Sequence, residues 1–117
     1  MAKFLVLYNS PIPAEQVMAQ VTPEQAEAGM ALWNEWAEKN SESIVDLGAP
    51  LGSGKHVEPG AVSPGSGKAT GFSILEADAL DDVVRIVENH PHFHTPDGTI
   101  DVLEFLEMPG IESSRTP

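Results

Sequence analysis

Histidine is the side chain whose charge changes near neutral pH. The four histidines of this 117-residue chain are therefore the first place to look for chemistry. Three fall in one short segment, His90-Pro-His92-Phe-His94-Thr-Pro-Asp97. Alternate residues of an extended segment point the same way, which makes His90, His92, His94 and Asp97 a candidate set for zinc or another divalent ion. Pro91 and Pro96 work against so regular a geometry. The competing reading gives His90 to the carbonyls at a helix end, and His92 and His94 to a surface loop. A third reading makes one imidazole, His92 foremost, a general acid or base. On balance the expectation is no metal and no other cofactor.

The fourth histidine, His56, stands two residues before Glu58. If that piece is a strand, the two share a face and form an acid–base pair at a pocket mouth. If it is a loop, they are two solvated side chains. Glu104 lies between Leu103 and Phe105. Turned into a closed apolar interior its carboxyl is a functional candidate, whereas at an exposed strand edge it is ordinary. Tyr8 and Asn9 end the first apolar run, and His90 and Trp36 join them as candidate ligand contacts. Gly52-Ser-Gly-Lys55 and Gly65-Ser-Gly-Lys68 imitate a phosphate loop, but His56 and Ala69 follow where Ser or Thr is needed, and strands come next instead of a helix. Both are read as turn chemistry.

The elements that must position these residues are well marked. Residues 3–8 (KFLVLY) form a strand stopped by Asn9-Ser10-Pro11. Residues 11–22 are ambiguous, with a helical turn over 15–20 as one option. Thr22-Pro23-Glu24-Gln25 is a helix start with a capping box. Ala26, Met30, Trp33 and Ala37 follow at helical spacing to about residue 39, with Trp36 one step off that stripe, placed to edge a cleft. Residues 44–51 make a second strand, broken at Gly48 and Pro50. Residues 52–70 are a long hairpin connection with a short paired piece around 55–58. Residues 71–76 are the next strand. Asp78 caps a second helix whose Leu80, Val83, Val84 and Val87 share a face, ending near His90-Pro91. Residues 99–107 are the last strand.

The order β–α–β–β–α–β predicts a ferredoxin-like α+β fold, with both helices on one face of a four-stranded antiparallel sheet. A single domain is expected over residues 1–110, with a flexible tail at 111–117. Two helices cover one face only, yet Leu5 and Leu7 in the first strand, and Leu103 and Phe105 in the last, make the second face apolar as well. A sheet open to water alternates apolar with polar, so the second face needs a cover, and a homodimer through the sheet faces is the simplest one.

Composition excludes several partners. There are 18 Asp and Glu against 6 Lys and Arg, a net charge of −12. That argues against nucleic acid and against an anionic membrane surface. Without cysteine there are no disulfides, thiolate nucleophiles or Cys-based zinc sites. No apolar run reaches the ~20 residues needed to span a bilayer, and the N-terminus has no cleavage-like site, so a cytoplasmic protein is expected. Glu24, Glu27, Glu35, Glu38, Asp78, Asp81, Asp82 and Glu88 fall on helix exteriors and first turns, which makes the charge a surface property.

Residues 71–93 (GFSILEADALDDVVRIVENHPHF) and 98–110 (GTIDVLEFLEMPG) resemble the YCII-related family. They share its Gly-led strand, acidic-capped helix closing in His-Pro, and final strand ending in a Met-Pro-Gly turn. The first half fits through KFLVLY, the helix with Trp33 and Trp36, and Gly48-Ala-Pro-Leu51. The resemblance implies a dimeric α+β barrel of ferredoxin-like protomers. Known activities in the family include a lyase-like dehalogenation of chlorinated hydroxyquinols. The enzymatic branch pairs a His in the first helix with an Asp after the first strand. Here the helix has no His, Trp33 lies near that position, and Asn9-Ser10 follow the strand, so no dyad carries over. The Asp-Gly-Pro-Phe motif of another branch is also missing.

Two functional classes follow. One is a dimeric barrel that binds a small aromatic or carbonyl-containing metabolite and does acid–base lyase or isomerase chemistry through His92, His56, Tyr8 or Glu104. The other is a non-catalytic dimeric binding or accessory protein. A metal-binding protein built on the histidine segment ranks behind both.

Overall fold

The computed structural model describes residues 1–65 and 68–107. Strand β1 (Ala2–Asn9) is followed by helices α1 (Ala14–Gln20) and α2 (Pro23–Lys39), then by strands β2 (Ile44–Pro50), β3 (Lys55–Glu58), β4 (Ala61–Pro64) and β5 (Ala69–Ala77). Helix α3 (Leu80–Val87), a 3₁₀ turn (Pro91–His94) and β6 (Thr99–Glu104) complete the order. Four strands form an antiparallel sheet in the order β2-β5-β1-β6, which is the ferredoxin-like arrangement of the α+β class. β3 and β4 pair as a separate hairpin. The expected tail at 111–117 and the Met-Pro-Gly turn lie outside the described residues.

Helix α2 begins as its sequence dictates. The Thr22 hydroxyl accepts from the Gln25 N–H at 3.1 Å, and the Gln25 side chain accepts from the Thr22 N–H at 2.9 Å, with Pro23 in the first turn. The two reciprocal bonds satisfy backbone donors that the helix itself leaves open. Its buried stripe differs from the expected one. Ala26 is exposed and Met30 is 60% exposed, while Trp36 is buried. Only the C-terminal half of α2 packs down, so Trp36 anchors the helix, its indole N–H donating to the Ile86 carbonyl at 3.1 Å. Helix α3 also departs from expectation at its start. Its N-cap is Ala79, with no side-chain bond, so Asp78 does not cap it. Val83 and Val87 are buried, whereas Leu80 and Val84 stay largely exposed.

The core lies between the helices and one sheet face. Phe4, Val6 and Tyr8 from β1 and Leu75 and Ala77 from β5 meet Trp36, Val83 and Val87. The alternation along β1 and β5 is strict, since side chains of a strand point to opposite faces in turn. The opposite face carries Leu5 beside Ile74 and Leu103, and Leu7 beside Phe72 and Asp101. Leu103 is 52% exposed there. Among the described residues no helix covers that face.

Candidate functional site

A cavity of about 290 Å³ opens between α2, the bulged strand β2 and the adjoining ends of β1 and β5. Met30, Trp33 and Asn34 supply its helix wall, and residues 47–50 its edge-strand wall. Thr70, Gly71 and Phe72 form its floor, with Tyr8 and His92 bordering it. None of the lining side chains is an Asp, Glu, Lys or Arg. Local sequence shapes the wall at Gly48, which sits at φ +82°. A Cβ there would stand 1.7 Å from the Phe72 carbonyl oxygen. Only glycine lets β2 bulge this close to β5. The Asp46 carboxylate fixes the bulge by accepting the Gly48 N–H at 2.8 Å.

Tyr8 enters the core from β1 and meets Ser73 across the sheet, 2.8 Å between the oxygens. The Ser73 hydroxyl donates to the Leu47 carbonyl at 2.6 Å. A serine has one proton to give, so Tyr8 is the donor in the first bond. Burial pushes the Tyr8 phenol up to about 12. Tyr8 therefore stays protonated at neutral pH, its proton committed to Ser73.

His92 is held differently. Its Nε2 lies 2.8 Å from the Asn9 carbonyl oxygen. A carbonyl only accepts, so Nε2 carries the proton and a neutral ring keeps its lone pair on Nδ1. His92 is 6% exposed and borders the cavity. Here the end of the inner strand β1 sets the tautomer of an imidazole beside an apolar, uncharged space. The bulge between Tyr8 and Asn9 in the β1–β5 register accompanies this change in the role of Asn9. The Asn9 side chain turns to Asp101, donating at 2.8 Å, and borders a shallower depression with Ser10, Pro11, Lys68, Asp97 and Thr99.

The other candidates are dispersed. His90 is 1% exposed, caps the turn that carries His92, and does not line the cavity. Burial, with a smaller contribution from His92, holds its imidazole down at about 3. The segment is a 3₁₀ turn and not an extended strand, so the alternation expected for His90, His92 and His94 does not arise. His94 and Asp97 are exposed, Asp97 at φ +56°. Among the described residues no group of three or more His, Asp or Glu is placed to hold a metal ion. Trp36, expected to edge a cleft, is buried under α3 and does not line the cavity. Trp33, expected in the core, lines it. The exchange follows from α2 settling on its C-terminal half.

His56 and Glu58 do share a strand face, 3.2 Å apart, on the β3–β4 hairpin. Their side chains are 60% and 65% exposed, and neither lines the cavity. Glu104 pairs with Phe4, whose side chain faces the helices, and is itself exposed on the edge strand β6. It does not turn into the open apolar face. Sequence reasoning missed Ser73 and Asn34. Ser73 left one signal, a hydroxyl at an inward position of an otherwise apolar strand.

The fold has a known counterpart. The chain is similar in structure to 5-chloro-2-hydroxyhydroquinone dehydrochlorinase from Burkholderia phenoliruptrix AC1100, solved in complex with 2,5-dihydroxybenzoquinone. The TM-score is 0.53 at 19% identity, covering 96% of this chain and 100% of that one. At that identity the likeness is one of fold. No family model and no curated protein matches the chain.

Proposed function

We propose that the cavity binds a small, uncharged aromatic or carbonyl-bearing metabolite, and that His92 Nδ1 is the acid–base group that meets its hydroxyl. The observation that carries this reading is the tautomer. With Nε2–H committed to the Asn9 carbonyl, Nδ1 is the basic nitrogen of a ring bordering an apolar, charge-free cavity. A phenol donating to Nδ1 is polarised there, which is the first half of a lyase or isomerase proton transfer. Trp33 supplies a ring surface for a flat ligand. The dehydrochlorinase of similar fold, with its bound dihydroxybenzoquinone, supports the ligand class and, with the motifs at 71–93 and 98–110, membership of the YCII-related family.

A homodimer through the open sheet faces belongs to the same proposal, since Leu5, Leu7, Phe72, Ile74 and Leu103 otherwise meet water. Two copies of a chain of charge −12 repel, so raised salt tightens the dimer. A cytoplasmic setting suits a chain without cysteine.

The test is titration with phenol, catechol and hydroquinone while the imidazole resonances are followed by NMR. His92 should shift on binding and His56 should not. His92→Phe keeps a ring in place and should weaken binding about tenfold, the value of one hydrogen bond. A panel that leaves His92 unmoved defeats the reading. A second reading, a binding protein without turnover, draws on one observation. Tyr8 is locked as a donor to Ser73 and no carboxylate lines the cavity, so His92 has no acid–base partner among the lining side chains. Solvent deuterium entering a bound ring would show turnover chemistry, and its absence would favour the binder.

A further inference from the structure

His90 is an unusual occupant for a core. Tyr8, Trp33 and Trp36 surround its ring, with centroids at 4.7, 4.4 and 4.3 Å. The two tryptophans meet it at steep angles, 79° and 61°. Its Nδ1 accepts the His92 backbone N–H at 2.9 Å. That fixes the His90 tautomer with the proton on Nε2, and Nε2 is buried with no hydrogen-bond partner among the described residues. A leucine of similar bulk would fill the same space without an orphaned donor. What imidazole supplies and leucine cannot is the Nδ1 acceptor, at the N-cap of the 3₁₀ turn that carries His92.

We propose that His90 is a positioning residue: a neutral imidazole, clamped by three aromatic rings, whose Nδ1 holds the His92 backbone so that the His92 ring keeps its Nε2–H on the Asn9 carbonyl and presents Nδ1 to the cavity. This rests on the reading of His92 given above. Two of the clamping rings, Tyr8 and Trp33, also line the cavity, so the wall that touches a ligand and the brace that aims His92 share the same side chains. The groups that titrate around His90 are Tyr8 from β1 and His92 on its own turn, and α2 presents only the uncharged indoles. Burial and the neighbouring His92 keep His90 neutral, as a cap that accepts a proton bond must be.

The experiment compares His90→Leu with His90→Asn, because an asparagine oxygen caps a helical turn and a leucine does not. Imidazole nitrogen shifts report the tautomer of His92. The wild type and His90→Asn should show the single Nε2–H form. His90→Leu should show a mixture of tautomers and at least tenfold weaker phenol binding. Two results overturn the proposal: a folded His90→Leu with an unchanged His92 signal, or a folded His90→Asn that behaves like His90→Leu. If His90→Leu does not fold, hydrogen exchange of the His92 amide in the wild type decides. Protection supports the cap, and exchange at the rate of an open loop removes it. A wild type that binds no phenol defeats the functional reading, but leaves the tautomer measurement to judge the cap.

Discussion

His90–His92 and His56–Glu58 are each a pair of polar residues two apart in the chain. The first pair is buried, and each of its rings is oriented by a backbone group. The second lies on a hairpin whose residues are exposed on every side, with Val57 and Val62 facing one another in water. Both pairs have geometry, but only the first has an environment. Burial makes a ring's proton position consequential, because the charged form loses its hydration. The exposed pair keeps its solvent, and its 3.2 Å contact is worth little. Spacing therefore nominates a pair of residues, and packing decides whether the pair has any leverage on chemistry.

The largest test of this contrast is acid. Folded, His90 titrates at about 3, against 6.5 unperturbed. Between those values the unfolded chain takes up a proton that the folded chain refuses. Its share of stability is thus intact above about pH 6.5 and falls as pH drops, by about 1.4 kcal/mol per unit. Denaturation at pH 7, 6 and 5 should show that slope in the wild type and in His56→Ala, and a shallower one in His90→Asn. Equal slopes in all three would put His90 on the same footing as His56.

Next comes the space around each pair. A Cβ on Gly98 would lie 2.9 Å from the His92 carbonyl and 3.1 Å from its Nε2, whereas one on Gly54, beside the hairpin, meets nothing within 4 Å. Gly98→Ala should cost about 1–3 kcal/mol by overpacking and displace the His92 resonances. Gly54→Ala should stay within about 0.5 kcal/mol. Thermal melts with an NMR spectrum of each variant would check both. A smaller effect is expected from Tyr8→Phe. It removes the donor to Ser73 while Ser73 still donates to Leu47, a loss of about 1 kcal/mol in chemical denaturation. Smallest of all, Glu58→Gln should change stability by less than about 0.5 kcal/mol and leave phenol binding unchanged. A measurable loss of binding there would bring the hairpin back into the site.

Much of the fold was legible because its signals are local. The apolar, β-forming run of residues 3–8, the Thr22–Gln25 box and the Pro-Gly-Ser connection each act over a few residues. The apolar Leu5 and Leu7 likewise announced a second face that is apolar. The site was less legible. The expected stripe on α2 put Trp33 inside and Trp36 at a cleft, and the structure reverses them because periodicity gives the face of a helix and not which end of it lands on the sheet. The extended histidine segment became a 3₁₀ turn once His90 could cap it from within a cage of rings contributed by β1 and α2.

By itself, the sequence determined the order and type of the six elements of the β–α–β–β–α–β core, the ferredoxin-like topology, and the absence of any cysteine chemistry. Hydrogen-bond caps and apolar periods are short-range, so they can be read from neighbours in the chain. Only the tertiary structure decided which histidine borders a cavity, which nitrogen holds its proton, and which tryptophan a ligand could touch. Those outcomes depend on groups far apart in sequence, with His92 and the Asn9 carbonyl 83 residues apart. Desolvation and hydrogen-bond direction come into force only when such groups are brought together.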